Sequence, residues 1–115
     1  MEKNNYKIAV IPGDGIGNEV MPEAIRVLEK IAERYNISFD FDHKDWSCER
    51  FHKFGSMMPE DGLDEIQDHD SILLGAVGFP GVPDHVSLWG LLIPIRRQFQ
   101  QYVNLRPVCL LEGMN

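Results

Sequence analysis

The sequence predicts an α/β fold on three observations. Short apolar runs at residues 6–11, 37–42 and 71–77 alternate with segments in which apolar residues recur every three or four positions. The first run breaks at Pro12-Gly13-Asp14-Gly15-Ile16-Gly17, the punctuation of a buried strand entering a tight turn ahead of a helix. The third run, SILLGAV, is almost wholly apolar and reads as a strand covered on both faces, at the centre of a largely parallel sheet.

Each element follows in order. A helix over about residues 18–35 carries Val20, Ala24, Val27, Leu28, Ile31 and Tyr35 on its apolar stripe and Glu23, Arg26, Glu29, Lys30 and Glu33 on the other face. Asn18 and Glu19 suit its amino end, and Pro22 argues against a start much earlier. Residues 37–42 alternate, which sets Ile37, Phe39 and Phe41 toward one layer. Residues 43–57 allow more than one reading, of which a short helix through Cys48, Phe51 and Phe54 closed by Gly55 is one. Pro59 opens another, with Leu63 and Ile66 inward and Glu60, Asp61, Asp64, Glu65 and Asp68 on a solvated face. Residues 78–84 turn at the surface, a natural ligand rim. Ser87 is placed to cap the next helix, whose inward residues are Leu88, Leu91, Leu92, Ile95 and Phe99. Pro94 removes its hydrogen bond to the Gly90 carbonyl and should bend it. Residues 102–111 read as a last strand.

A length of 115 residues permits one domain, and 43% hydrophobic with 25% charged residues is near the globular average, so disorder is not expected. A net charge of −7 without any Lys/Arg cluster argues against a nucleic-acid partner. Cys48 and Cys109 belong to no metal or disulfide pattern, which fits a reducing compartment. No apolar run is long enough for a membrane span and the first residues lack signal-peptide character, so the expected location is cytoplasmic.

Two features invite chemistry. Gly13-Asp14-Gly15-Ile16-Gly17 invites comparison with a dinucleotide turn, but GxGxxG would need glycine where Asn18 stands, and a turn without phosphate is an equal reading. Arg96 and Arg106 could grip a substrate with two carboxylates, although on spacing alone the simpler reading is that both, with Arg97, are surface charges. The four histidines form no metal-ligand pair, and the acids at 61–68 read as solvated, so neither catalytic nor metal residues are assigned.

The segments IAVIPGDGIGNEV, LLGAVG and IRRQFQQYVNLRPV resemble, in order and spacing, the family of isopropylmalate, isocitrate and tartrate/D-malate dehydrogenases. SMMPED, then LLGAVGFPGVPDHVSLWG, then RRQFQQYVNLRP is similar to the tartrate/D-malate branch. The resemblance implies an isopropylmalate dehydrogenase-like α/β fold rather than a Rossmann fold. Residues 1–100 would be the amino-terminal part of the first domain, and residues 101–115 a first strand leading into the second. It implies NAD-dependent oxidation of a 2-hydroxy dicarboxylic acid with decarboxylation, Mn²⁺ or Mg²⁺ as the metal, and a homodimeric parent enzyme.

By the same resemblance Arg96 and Arg106 bind substrate carboxylates, and Trp89 and Leu92 meet the substrate's variable side. Ile11, Ala76, Val77 and Gly78 line the nicotinamide end of NAD. The family's tyrosine, lysine, metal-binding aspartates and third arginine fall downstream of Asn115, so the chain alone is expected to be inactive. The competing expectation is a non-catalytic binding module that needs a completing chain. Cys109 stands where the branch more usually has a basic residue, and is expected to be an inert thiol packed in the last strand.

Overall fold

A computed structural model describes residues 4–114; residues 1–3 and residue 115 lie outside, and with them the extreme ends of the two expected segments. Strand β1 (Asn5–Gly13) pairs in parallel with β2 (Ser38–His43) on one edge and β3 (Ser71–Ala76) on the other, giving the order β2-β1-β3. The central strand is therefore β1. The expectation that SILLGAV lies at the centre is corrected, because β3 is an edge strand among the described residues and Leu74 is 37% exposed. An apolar run reports that both faces are covered and says nothing about lateral neighbours.

Alternation along β1 divides the interior in two. Ile8 and Val10 pack with Met21, Ile25, Phe39, Phe41 and Leu73 on one face, while Ala9 and Ile11 join Trp46, Cys48, Met57, Ile66, Leu91 and Ile95 on the other. Phe39 and Phe41 thus share a layer, as the alternation of their run requires.

Helix α1 (Ile16–Tyr35) starts two residues before the expected position and lies over the first face. Its innermost residues are Gly17 and Met21, whereas Val20, Val27, Ile31 and Tyr35 of the expected stripe are at least 39% exposed. The sheet is too narrow to cover the whole apolar stripe. Pro22 consequently sits in the second turn, where the carbonyl it leaves without a donor can be solvated.

The second face is covered by α2 (Cys48–Phe54), α3 (Gly62–Ile66) and the helical segment that follows β3. Ser47 caps α2 by accepting a hydrogen bond from the Arg50 amide, and Gly55 closes it at φ 80°, donating to the Phe51 carbonyl. The segment after β3 runs through α4 (Asp84–Ser87), a π-helical turn at Leu88–Leu92 and α5 (Ile93–Gln98). Ser87 does not cap it: the helix begins at Asp84, and the Ser87 hydroxyl donates back to the Asp84 carbonyl. The disruption expected at Pro94 takes the form of the widened turn just before it, in which the Ile93 amide reaches the Leu88 carbonyl.

The expected last strand is also corrected. Residues 101–111 form no regular element and pair with no strand among the described residues. Tyr102, Leu105 and Val108 are 95%, 82% and 93% exposed, and Cys109 is exposed rather than packed. The run has strand composition, but no strand lies beside it to satisfy its amides and carbonyls.

Candidate functional site

The carboxyl ends of β1 and β3 meet at a point where the chain leaves toward opposite faces of the sheet, the position at which open parallel sheets bind ligands. Here the crevice is closed by the protein itself. A Cβ on Gly13 would come 2.0 Å from the Ala76 carbonyl oxygen, and one on Gly17 would come 2.0 Å from that of Pro12. Gly75 completes the contact, since its Cβ would lie 2.3 Å from the same Pro12 oxygen. Glycine spacing therefore serves backbone-to-backbone packing. The position that fails the GxGxxG test, Asn18, stays on the surface and donates from its side chain to the Gly13 carbonyl.

Asp14 fills the centre of this junction. Its backbone amide donates to the Ala76 carbonyl (2.7 Å). Its carboxylate, in a residue only 4% exposed, accepts from the amides of Cys48 (3.0 Å), Glu49 (3.2 Å) and Gly78 (3.3 Å). The first two are the free N–H groups of the opening turn of α2, which favour negative charge. One buried carboxylate thus joins the turn after β1, the start of α2 and the loop after β3. Burial, and then the neighbouring Asp14 carboxylate, push the Cys48 thiol up to about 11, so it is a neutral packed group at physiological pH.

The residues expected around the cofactor gather at this junction. Ala76 ends β3, Val77 is half-buried, Gly78 is exposed at the rim, and there is open space where a Gly78 Cβ would stand. Ile11 lies beneath them in the core at 0% exposure, presenting no surface of its own.

Of the residues expected around the substrate, two come together. Leu92 and Arg96 line a cleft of about 550 Å³ between α5 and the start of β3, with Ser71, Leu74 and Gln101 among its other walls. Among the described residues Arg96 has no side-chain partner, so its guanidinium is available to an incoming carboxylate. Trp89 lies away from this cleft, in grooves it shares with Pro94, and the Arg97 guanidinium stands 6.0 Å from its ring centre. Arg106 is on the exposed irregular segment, where its Nε donates to Asn104 Oδ1 at 3.2 Å, and it does not line the cleft.

A second polar cluster braces the outer side of the fold. Nε2 of His69, whose side chain is 1% exposed, lies 2.9 Å from Asp42 Oδ2, and Lys44 Nζ is 3.3 Å from the same oxygen. The His69 contact, with Lys44 in support, holds the Asp42 carboxyl below its ordinary range. Neither this cluster nor the role of Asp14 was apparent from sequence. The available signal for Asp14 was an acid set between two glycines directly after a buried strand.

The model of the isocitrate/isopropylmalate dehydrogenase family matches residues 7–115, nearly the whole chain. The chain belongs to that family. Within it, the D-malate dehydrogenase [decarboxylating] of Escherichia coli (strain K12) is 54% identical over 94% of this chain and 30% of its own length. The tartrate dehydrogenase/decarboxylase of Pseudomonas putida is 49% identical over 99% of this chain and 32% of its own. The crystal structure of a beta-decarboxylating dehydrogenase from Thermococcus kodakarensis superposes with a TM-score of 0.65 at 34% identity, covering 83% of this chain and 27% of that one. The chain spans about a third of the length of these relatives.

Family membership fixes the fold class as isopropylmalate dehydrogenase-like, and close backbone packing accounts for Gly13 and Gly17, which a Rossmann reading leaves unexplained. These relatives are enzymes, which does not favour the non-catalytic module. No helix among the described residues is long and apolar enough to cross a membrane.

Proposed function

We propose that this chain forms one wall of the active site of an NAD-dependent, decarboxylating dehydrogenase for 2-hydroxy dicarboxylic acids of the malate and tartrate type. The observation that carries the reading is the unpaired Arg96 beside Leu92 in one cleft, in a chain half identical to a D-malate dehydrogenase. Arg96 binds one substrate carboxylate through paired N–H donors, and Leu92 bounds the space beside it. Arg106 supplies a second carboxylate contact once residues 101–111 are packed, and Trp89 a further specificity wall. Ala76, Val77 and Gly78 form the rim for the nicotinamide end of the cofactor, with Ile11 supporting them from below.

The open space at Gly78 leaves room for the nicotinamide end of a dinucleotide, which would accept hydride from C2 of the hydroxy acid. A divalent ion finds no such fit, since among the described residues no three His, Cys, Asp or Glu side chains converge to hold one. We further propose that residues 1–100 belong to the first domain and 101–115 lead into the second, that general-base and Mn²⁺- or Mg²⁺-binding residues come from outside this stretch, and that the parent enzyme is a cytoplasmic homodimer. The chain alone is then inactive.

Calorimetric titration with D-malate and with tartrate tests the grip. Arg96→Ala should weaken binding at least about tenfold, the loss of one charge-assisted pair, with an unchanged denaturation midpoint. Equal affinity in the variant would sink the assignment, and turnover by this chain with NAD and Mn²⁺ would sink its inactivity.

A further inference from the structure

We infer that Asp14 is a positioning residue for the cofactor rim: its buried carboxylate holds the loop after β3 in the shape that receives the nicotinamide end of NAD. The inference rests on the cofactor reading above and adds a residue to which that reading gives no role.

The geometry is specific. Gly78 is the rim residue, and its amide is held from behind by Asp14 Oδ2, the same oxygen that accepts the Cys48 amide. The other oxygen takes the Glu49 amide, and the Asp14 amide holds the Ala76 carbonyl. Both ends of the turn from Ala76 to Gly78 are therefore fixed by one residue, and that residue is anchored to the opening turn of α2. Gly78 has a φ of 153° and open space where a Cβ would stand, so no side chain of its own packs it in place and the bond to Asp14 anchors its amide.

Simple filling of space does not account for an acid here. An uncharged packing residue would leave three buried or half-buried amides without an acceptor, whereas carboxylate oxygens serve all three. Asparagine retains one acceptor oxygen and turns a donor toward an amide, so at least one of the three bonds is lost. Neutral Cys48, packed at the same point, adds no competing negative charge.

The experiment uses the isotope-labelled full chain and Asp14→Asn, titrated separately with NAD and with D-malate. We expect Asp14→Asn to weaken NAD about tenfold, the equivalent of about 1.4 kcal/mol, to leave D-malate affinity within about twofold, and to accelerate amide exchange at Gly78. A variant that loses thermal stability yet binds NAD as tightly as the parent overturns the inference, as does one that weakens both ligands equally. Should Asp14→Asn fail to fold, the unsubstituted chain decides. NAD should then shift the Cys48 and Glu49 amides with the same midpoint as Gly78, and movement of Gly78 alone overturns the coupling. If the unsubstituted chain binds D-malate but no NAD, the cofactor reading itself fails, an outcome distinct from NAD binding that is indifferent to Asp14.

Discussion

Strand β1 and the segment at 101–111 are both rich in aliphatic residues and each carries a tyrosine, and they reach opposite ends of the range of burial. Ala9, Val10 and Ile11 are at 0% exposure with a strand on either side, while Tyr102 and Val108 are more than nine-tenths exposed with none. The difference lies in what surrounds each run. A strand is stable when its amides and carbonyls find partners and its side chains find both a floor and a ceiling. The same contrast separates the two proposed carboxylate ligands: Arg96 is oriented by a helix packed on the core, and Arg106 only by its neighbour Asn104.

The largest effect should come from charging both regions. Val10→Asp buries a carboxylate without a partner and should cost about 4 kcal/mol or more, enough to unfold a marginal domain, whereas Val108→Asp should stay within about 0.5 kcal/mol. Urea denaturation followed by circular dichroism measures both, and similar losses would break the comparison.

The two cysteines sharpen it chemically. With its thiol pushed up to about 11, Cys48 is ionised to only about one part in a thousand at pH 8 and is buried, while Cys109 is exposed. A thiol reagent followed by peptide mapping should label Cys109 at once and Cys48 only in denaturant. Labelling of Cys48 in the folded chain at a similar rate would show that the Asp14 junction opens readily.

The smallest effect concerns the brace at Asp42. Its carboxyl is held low by His69 and Lys44, so the stability it adds is fully present above the ordinary carboxylate value and is lost as pH falls through the lower folded value. Asp42→Asn should therefore cost about 0.5 kcal/mol near neutral pH, a small figure because Asp42 remains partly in solvent. The gap should close toward about pH 2, and a gap that widens on acidification would contradict the assigned direction.

Much of the fold was legible because it rests on local periodicity. At residues 43–57, which the sequence leaves open, the short helix that apolar spacing and Gly55 allow is the one formed, at Cys48–Phe54. The alternation of residues 37–42 set Phe39 and Phe41 on one face, where they lie. Sequence alone could not supply lateral relationships. The long apolar stripe of α1 does not reveal that three strands cover only part of it, and the all-apolar β3 does not reveal that it lies at an edge.

The candidate site divides along the same line. Arg96 stood out by residue type and by family resemblance, and its placement beside Leu92 then followed from how α5 packs. Asp14 did not stand out, because its partners at Cys48, Glu49 and Gly78 are 34, 35 and 64 residues away.

By itself the sequence determined the α/β class, the family, and the chemical types offered to a substrate, since each depends on residue identity and near-neighbour spacing. Only the tertiary structure decided that β1 is central, that Gly13 and Gly17 of the first turn serve packing, and that a buried aspartate ties that turn to the loop after β3. The physical reason is common to all three. Pairing of strands, the room left for a Cβ, and the partners of a buried carboxylate are set by segments far apart in the chain, whose meeting no local pattern records.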